Sequence, residues 1–123
     1  GAFAGGAVVY SAAAKISLAG LDPVFLQEYG TIGSPTTLAL AKGIREKLGT
    51  SWGLAITGNA GPTLDAGGID RAMGECVVAV AGPHGEEVRS FIVPGDRTDI
   101  QLRSAAWALD LLRRMMLTAP LLR

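Results

Sequence analysis

The side chains in this sequence that can move a proton or grip an anion fall in three places. Tyr10 and Lys15 lie together near the start. A lysine amine serves as a general base when burial brings its pKa toward neutrality. A tyrosine nearby can donate its hydroxyl or lay its ring along a flat ligand. The run Thr57-Gly58-Asn59-Ala60-Gly61-Pro62 is a glycine-containing loop whose backbone N–H groups can turn toward an anion, with the Thr57 hydroxyl as a further donor. Arg97 stays charged at any workable pH and can hold a phosphate through two N–H groups, at a helix start whose dipole works in the same direction. Each also has a plainer use: a solvated helix lysine, a half-buried tyrosine, a tight turn that needs glycine dihedrals, a surface arginine.

The remaining reactive residues narrow the chemistry. His84, the only histidine, sits in the turn-forming run 82–85, so neither a Ser-His-Asp triad nor a histidine metal site can be assembled from this sequence. Ser11 reads as a helix cap in preference to a nucleophile. Cys76, the only cysteine, lies in the apolar run Cys76-Val77-Val78-Ala79-Val80 and reads as buried strand packing. With no second cysteine there is no internal disulfide, and a reducing, cytoplasmic setting is expected. Basic and acidic residues number 11 each and are scattered, which leaves no electrostatic footprint for nucleic acid or an anionic membrane and favours a small-molecule or protein partner. No uncharged apolar stretch of about 18 residues occurs, and no basic segment precedes an apolar one at the start. No metal or cofactor is implied, and a homo-oligomer is compatible with the sequence.

These residues need a scaffold. A chain of 123 residues that is 49% hydrophobic fits one domain, 1–123, around a single core. Ala7-Val8-Val9-Tyr10 predicts a short buried strand, and Ser11 caps a helix that begins at the alanine run and carries Lys15 in its first turns. Asp22-Pro23 predicts a brief second helix closed near Gly30. Ser34-Pro35 opens a longer one, with Thr37, Ala41, Ile44 and Leu48 as its stripe and Gly49 as its stop, laid over one face of a sheet. Residues 52–57 predict a strand buried on both faces. Residues 75–81 and 86–93 predict a hairpin through Gly82-Pro83-His84-Gly85. A last helix, capped by Asp96 or Thr98, predicts packing along its whole length through Ile100, Ser104, Trp107, Leu111 and Met115, with Leu109, Leu112 and Met116 widening the stripe and Pro120 ending it. Helices alternating with strands before a terminal hairpin and helix predict an α/β layered sandwich with a mixed β-sheet.

Three segments together resemble the C-terminal domain of the CinA (competence-damage-inducible) family. They are Gly5-Gly6-Ala7-Val8-Val9-Tyr10-Ser11 running on to Lys15, the loop from Thr57 to Pro62, and the stretch from Phe91 to Arg97 ending in Pro94-Gly95-Asp96-Arg97, with Gly74 ahead of the next strand. The resemblance implies a three-layer α/β/α sandwich and an amidohydrolase that converts nicotinamide mononucleotide to nicotinic acid mononucleotide and ammonia. It implies a serine nucleophile in an upstream Ser-Cys-Thr-Gly-Gly motif, which this sequence does not contain, with Lys15 as its base and Tyr10 beside the reacting centre. Thr57, Gly58, Asn59, Ala60, Gly61 and Arg97 would then hold the nucleotide. On this reading the chain, which opens on Gly1, lacks the domain's first strand and helix and turns over no substrate by itself.

Around the expected pocket the sequence departs from the family pattern. Ala12-Ala13 stands for the usual Asn-Glu, Asn59 for Ile, Thr31-Ile32-Gly33 for Ala-Val-Ser, and Arg71-Ala72-Met73 for Lys-Pro-Val. A non-catalytic nucleotide-binding or interaction module of the same fold is the alternative.

Overall fold

A computed structural model describes residues 2–59 and 74–118. In chain order it contains α1 (Ala12–Ala19), α2 (Pro23–Tyr29), α3 (Ser34–Leu48), β1 (Gly53–Gly58), β2 (Glu75–Gly82), β3 (Gly85–Ile92) and α4 (Arg97–Thr118). The described strands form one sheet in the order β1-β2-β3, with both pairings antiparallel. The expected hairpin closes at the pair Gly82 and Gly85, leaving Pro83 and His84 as a two-residue turn.

The central strand organises the layers. Successive side chains of a strand point to opposite faces. Cys76 and Val78 accordingly share a cluster with Val93, Ile100 and Ala108, on the α4 side. Ala79 and Ala81 share another with Ala41, on the α3 side. Helices therefore cover opposite faces of β2, and the chain is an α/β/α sandwich. Apolar residues on both faces leave Val77, Val78 and Val80 fully buried; each such burial stabilises by about 1.5–3 kcal/mol. The alanines on the other face let α3 lie close: a Cβ added at Gly53 would stand 2.1 Å from the Ala41 carbonyl oxygen.

Four expectations are corrected. Residues 7–10 form no strand. A strand persists only where a neighbour takes its backbone hydrogen bonds, and among the described residues no strand pairs with this segment; Val8 and Tyr10 face solvent at 89% and 84% exposure. Only Val9 turns inward, against the cluster of Ala19, Leu21, Leu26 and Leu40. The strand buried on both faces is β2, whereas β1 is an edge of the described sheet and leaves Ile56 41% exposed. Finally, α4 buries Ile100, Ser104 and Ala108 but exposes Leu109 and Met116. Its 22 residues span about 33 Å at 1.5 Å per residue, while the 8 residues of β2 span about 26 Å, so the helix outruns the strand beneath it. Trp107 is half-exposed yet meets Phe91 edge to face, at 4.4 Å between ring centroids. In α3 the buried stripe is Thr36, Thr37, Leu40 and Ala41; Leu48, expected within it, is exposed. Pro120 lies outside the described residues. Among the described residues no helix is long and apolar enough to cross a membrane.

Candidate active site

The first helix places the lysine. Ser11 stays extended and its hydroxyl accepts from the Ala14 N–H at 3.0 Å, the N-cap bond expected from sequence. Side chains on a helix lean toward its N-terminus. Lys15 follows that lean, and its Nζ donates to the Val9 carbonyl at 2.7 Å, with the Tyr10 carbonyl at 3.5 Å. The residue is only 6% exposed. Tyr10 meets Lys15 through its backbone, while its ring stands in solvent. Val9 and Ile16, which flank this pair, pack on the cluster of Ala19, Leu21, Leu26 and Leu40, and α1 lies against α3.

At the end of β1, Thr57 is buried and built into the fold. The Gly33 N–H donates to the Thr57 hydroxyl at 3.2 Å, and the Thr37 and Thr57 hydroxyls lie 2.7 Å apart. Thr37 also donates to the Gly33 carbonyl at 2.5 Å. A threonine hydroxyl has one proton, so with that of Thr37 committed to Gly33, Thr57 must be the donor between the two. The expectation that Thr57 offers a donor to an anion therefore meets a proton already used inside the protein; toward a ligand this hydroxyl can only accept.

Gly58 is required by β2, since a Cβ there would stand 2.6 Å from the Glu75 carbonyl oxygen. Asn59 is buried, and its backbone N–H donates to the Glu75 carbonyl at 3.0 Å while its carbonyl accepts from the Gly74 N–H at 2.6 Å. The Gly74 carbonyl in turn accepts from Val93 at 2.8 Å. Asn59 and Gly74 are thus held together by backbone bonds, next to the turn that leads into α4. Ala60 and Gly61 lie outside the described residues.

Arg97 is the first residue of α4 and is exposed. The cap is Asp96, whose carboxylate accepts from the Asp99 N–H at 2.9 Å, while the Asp99 carboxylate accepts from the Asp96 N–H at 3.2 Å. This reciprocal arrangement is a capping box built with aspartate in the place usually held by glutamate or glutamine. Arg97 follows this cap directly, at the head of α4.

Other groups stand apart. His84 is exposed in the hairpin turn. Burial pushes the Cys76 thiol up from its ordinary value, only partly offset by a hydrogen bond with Ser104, so this cysteine is an inert core residue as its apolar run implied. No group of acids, histidines and cysteines fit for a metal ion occurs among the described residues. An open groove of about 600 Å³ lies between the end of α1, α2 and α3, and contains none of the candidate residues. Its walls, including Asp22, Lys42, Glu46 and Lys47, mix both charges.

Sequence reasoning assigned Thr37 to the core and passed over Thr36, yet both hydroxyls tie down the turn ahead of α3, Thr36 through the Gly30 carbonyl at 2.7 Å. The available signal was two adjacent threonines at helix positions where an apolar stripe would ask for aliphatic residues.

The geometry thus defines a class: an α/β/α domain with a lysine buried in its first helix and, among the described residues, a three-stranded antiparallel sheet. The model of the CinA C-terminal domain family matches residues 1–116, and the chain belongs to that family. It is 41% identical over 119 residues to a CinA-like protein of Frankia casuarinae and 43% identical over 115 residues to one of Acidobacterium capsulatum. These matches take in 97% and 94% of the chain but 27% of each relative, so the chain spans about a quarter of the curated relatives it matches. Among solved structures, the competence damage-inducible protein A (ComA) of Klebsiella pneumoniae superposes with a TM-score of 0.82 at 19% identity, over 91% of this chain and 68% of that one, a likeness of fold alone. The competence or damage-inducible protein of Enterobacter asburiae superposes with a TM-score of 0.77 at 27% identity, over 85% of this chain and 64% of that one.

Proposed function

We propose that the protein containing this domain is a cytoplasmic amidohydrolase that deamidates nicotinamide mononucleotide to nicotinic acid mononucleotide and ammonia. The observation that carries the reading is the buried Lys15 amine next to Tyr10, in a chain of the CinA family. The nucleophile is a serine supplied by sequence upstream of Gly1, in the Ser-Cys-Thr-Gly-Gly motif of the resemblance. Lys15 takes the hydroxyl proton as the serine oxygen attacks the carboxamide carbon, and returns it to the departing nitrogen, which leaves as ammonia; water then cleaves the acyl-serine ester to the acid. The exposed ring of Tyr10 is available to lie along the nicotinamide. The segment Gly58, Asn59, Ala60 and Gly61 holds the ribose and phosphate, with Arg97 as the phosphate's cation and Thr57 accepting from a ligand hydroxyl or amide.

A second reading, a nucleotide-binding module without turnover, draws on the bond from Lys15 to Val9. An amine pinned to a carbonyl at 2.7 Å also suits a purely structural lysine. Ammonia release by the full-length protein separates the two. Lys15→Ala is expected to lower it by about 10² or more, the scale of a lost general base. Release unchanged in that variant removes Lys15 from the mechanism, and no release from the unaltered full-length protein favours the module.

A further inference from the structure

Three hydrogen bonds close a ring on Gly33: its N–H donates to Thr57, Thr57 donates to Thr37, and Thr37 donates back to the Gly33 carbonyl. All three residues are buried. The ring joins the turn between α2 and α3, the first turn of α3 and the last part of β1. Thr36 stiffens the same turn through Gly30. Low local dielectric and mutual polarisation make such a closed set stronger than its separate members, and opening it leaves buried donors and acceptors without partners.

The ring stands directly before Gly58 and Asn59, where the proposed nucleotide cradle begins, and it fixes which way the Thr57 hydroxyl points. We infer that Thr37 is a positioning residue of that site: it touches no substrate, and it sets the orientation of the Thr57 hydroxyl. The inference rests on the reading that this loop holds the nucleotide. Ala55 and Leu40 pack beside the ring in the cluster that also takes Ile16, so the Lys15 helix is held independently of the Thr37 hydroxyl.

Two substitutions test it in the full-length protein. Thr37→Val keeps the shape and removes the hydroxyl, whereas Thr37→Ser keeps the hydroxyl. Losing one oriented hydrogen bond of about 1.4 kcal/mol corresponds to a tenfold change in an equilibrium. Thr37→Val is therefore expected to raise KM for nicotinamide mononucleotide about tenfold with kcat within about twofold, and Thr37→Ser to restore KM to within about twofold of the unaltered protein. A lowered kcat at unchanged KM, or serine behaving like valine, overturns the inference. Hydrogen exchange of the peptide containing Gly33 reads the ring without any turnover. Exchange about tenfold faster in Thr37→Val, but not in Thr37→Ser, is expected, and identical exchange in all three proteins overturns the ring whatever the substrate proves to be. Should exchange respond as expected while no protein turns over the nucleotide, the proposed activity fails, and with it the site role of Thr37.

Discussion

Gly43 sets two physical effects against each other, and the structure decides which wins. It lies inside α3, where replacing glycine by alanine ordinarily stabilises a helix by about 1 kcal/mol. A Cβ at this position, however, would stand 2.1 Å from the Ala19 carbonyl oxygen and 3.2 Å from its carbon. Real Cβ atoms essentially never approach closer than 3.0 Å, so relief needs a displacement of about 1 Å, and the obstacle is backbone that cannot rotate away. Moving α1 off α3 by that much opens the packing of Ala19 and Leu21 on Leu40. Overpacking of this kind costs about 1–3 kcal/mol, and a clash with main chain belongs at the upper end. Set against the helical gain, Gly43→Ala is expected to destabilise by about 1–2 kcal/mol, which lowers Tm by roughly 4–8 °C in a domain of this size. Chemical denaturation followed by circular dichroism measures this, with the denaturant slope required to stay constant so that the midpoint reports stability. Because Ala19 ends the helix that carries Lys15, turnover by the full-length protein is expected to fall as well. A variant as stable as the unaltered protein, or more so, refutes the close approach of α1 and α3 on which the position of Lys15 depends.

Gly95→Ala is expected to cost about 1–2 kcal/mol through the loss of the α4 cap: its φ is +118° and a Cβ would stand 2.5 Å from that of Asp99. A normal melting temperature in that variant would dismiss the Asp96 and Asp99 capping box. Asp96→Ala tests the same box from the other side and is expected to cost about 1 kcal/mol. Cys76 is expected to react with a thiol reagent only at the rate of global unfolding, because it is 1% exposed; rapid labelling of the native protein contradicts its place in the core. Its pKa is raised in the folded state, so its contribution to stability is fully present below the unfolded value of 9.0 and is lost as pH rises beyond it. Unfolding midpoints measured from pH 8 to pH 11 in the unaltered protein and in Cys76→Ala are expected to diverge on that account.

Much of the architecture was legible from short-range chemistry. Ser11 and Asp22 cap their helices through their own side chains, and Gly49 ends α3 in the left-handed conformation. The hairpin through Pro83 and His84 follows from turn residues between two β-rich runs. Each of these features is settled within a few residues of chain, where propensity and turn chemistry act directly. The buried state of Cys76 was legible for a related reason, since a run apolar on both faces has to be covered on both.

What the sequence alone determined, then, were the helices, the hairpin, the family and the residues able to do chemistry, because each depends on local pattern. Tertiary structure alone decided that residues 7–10 form no strand, since strand formation depends on a neighbour and not on β-branched content. It alone decided that Lys15 is buried against the Val9 carbonyl, that α4 leaves Leu109 and Met116 in water, and that Thr57 spends its proton on Thr37. Those outcomes depend on which groups come together from distant parts of the chain, and where a proton goes between two hydroxyls is fixed only when both are in place.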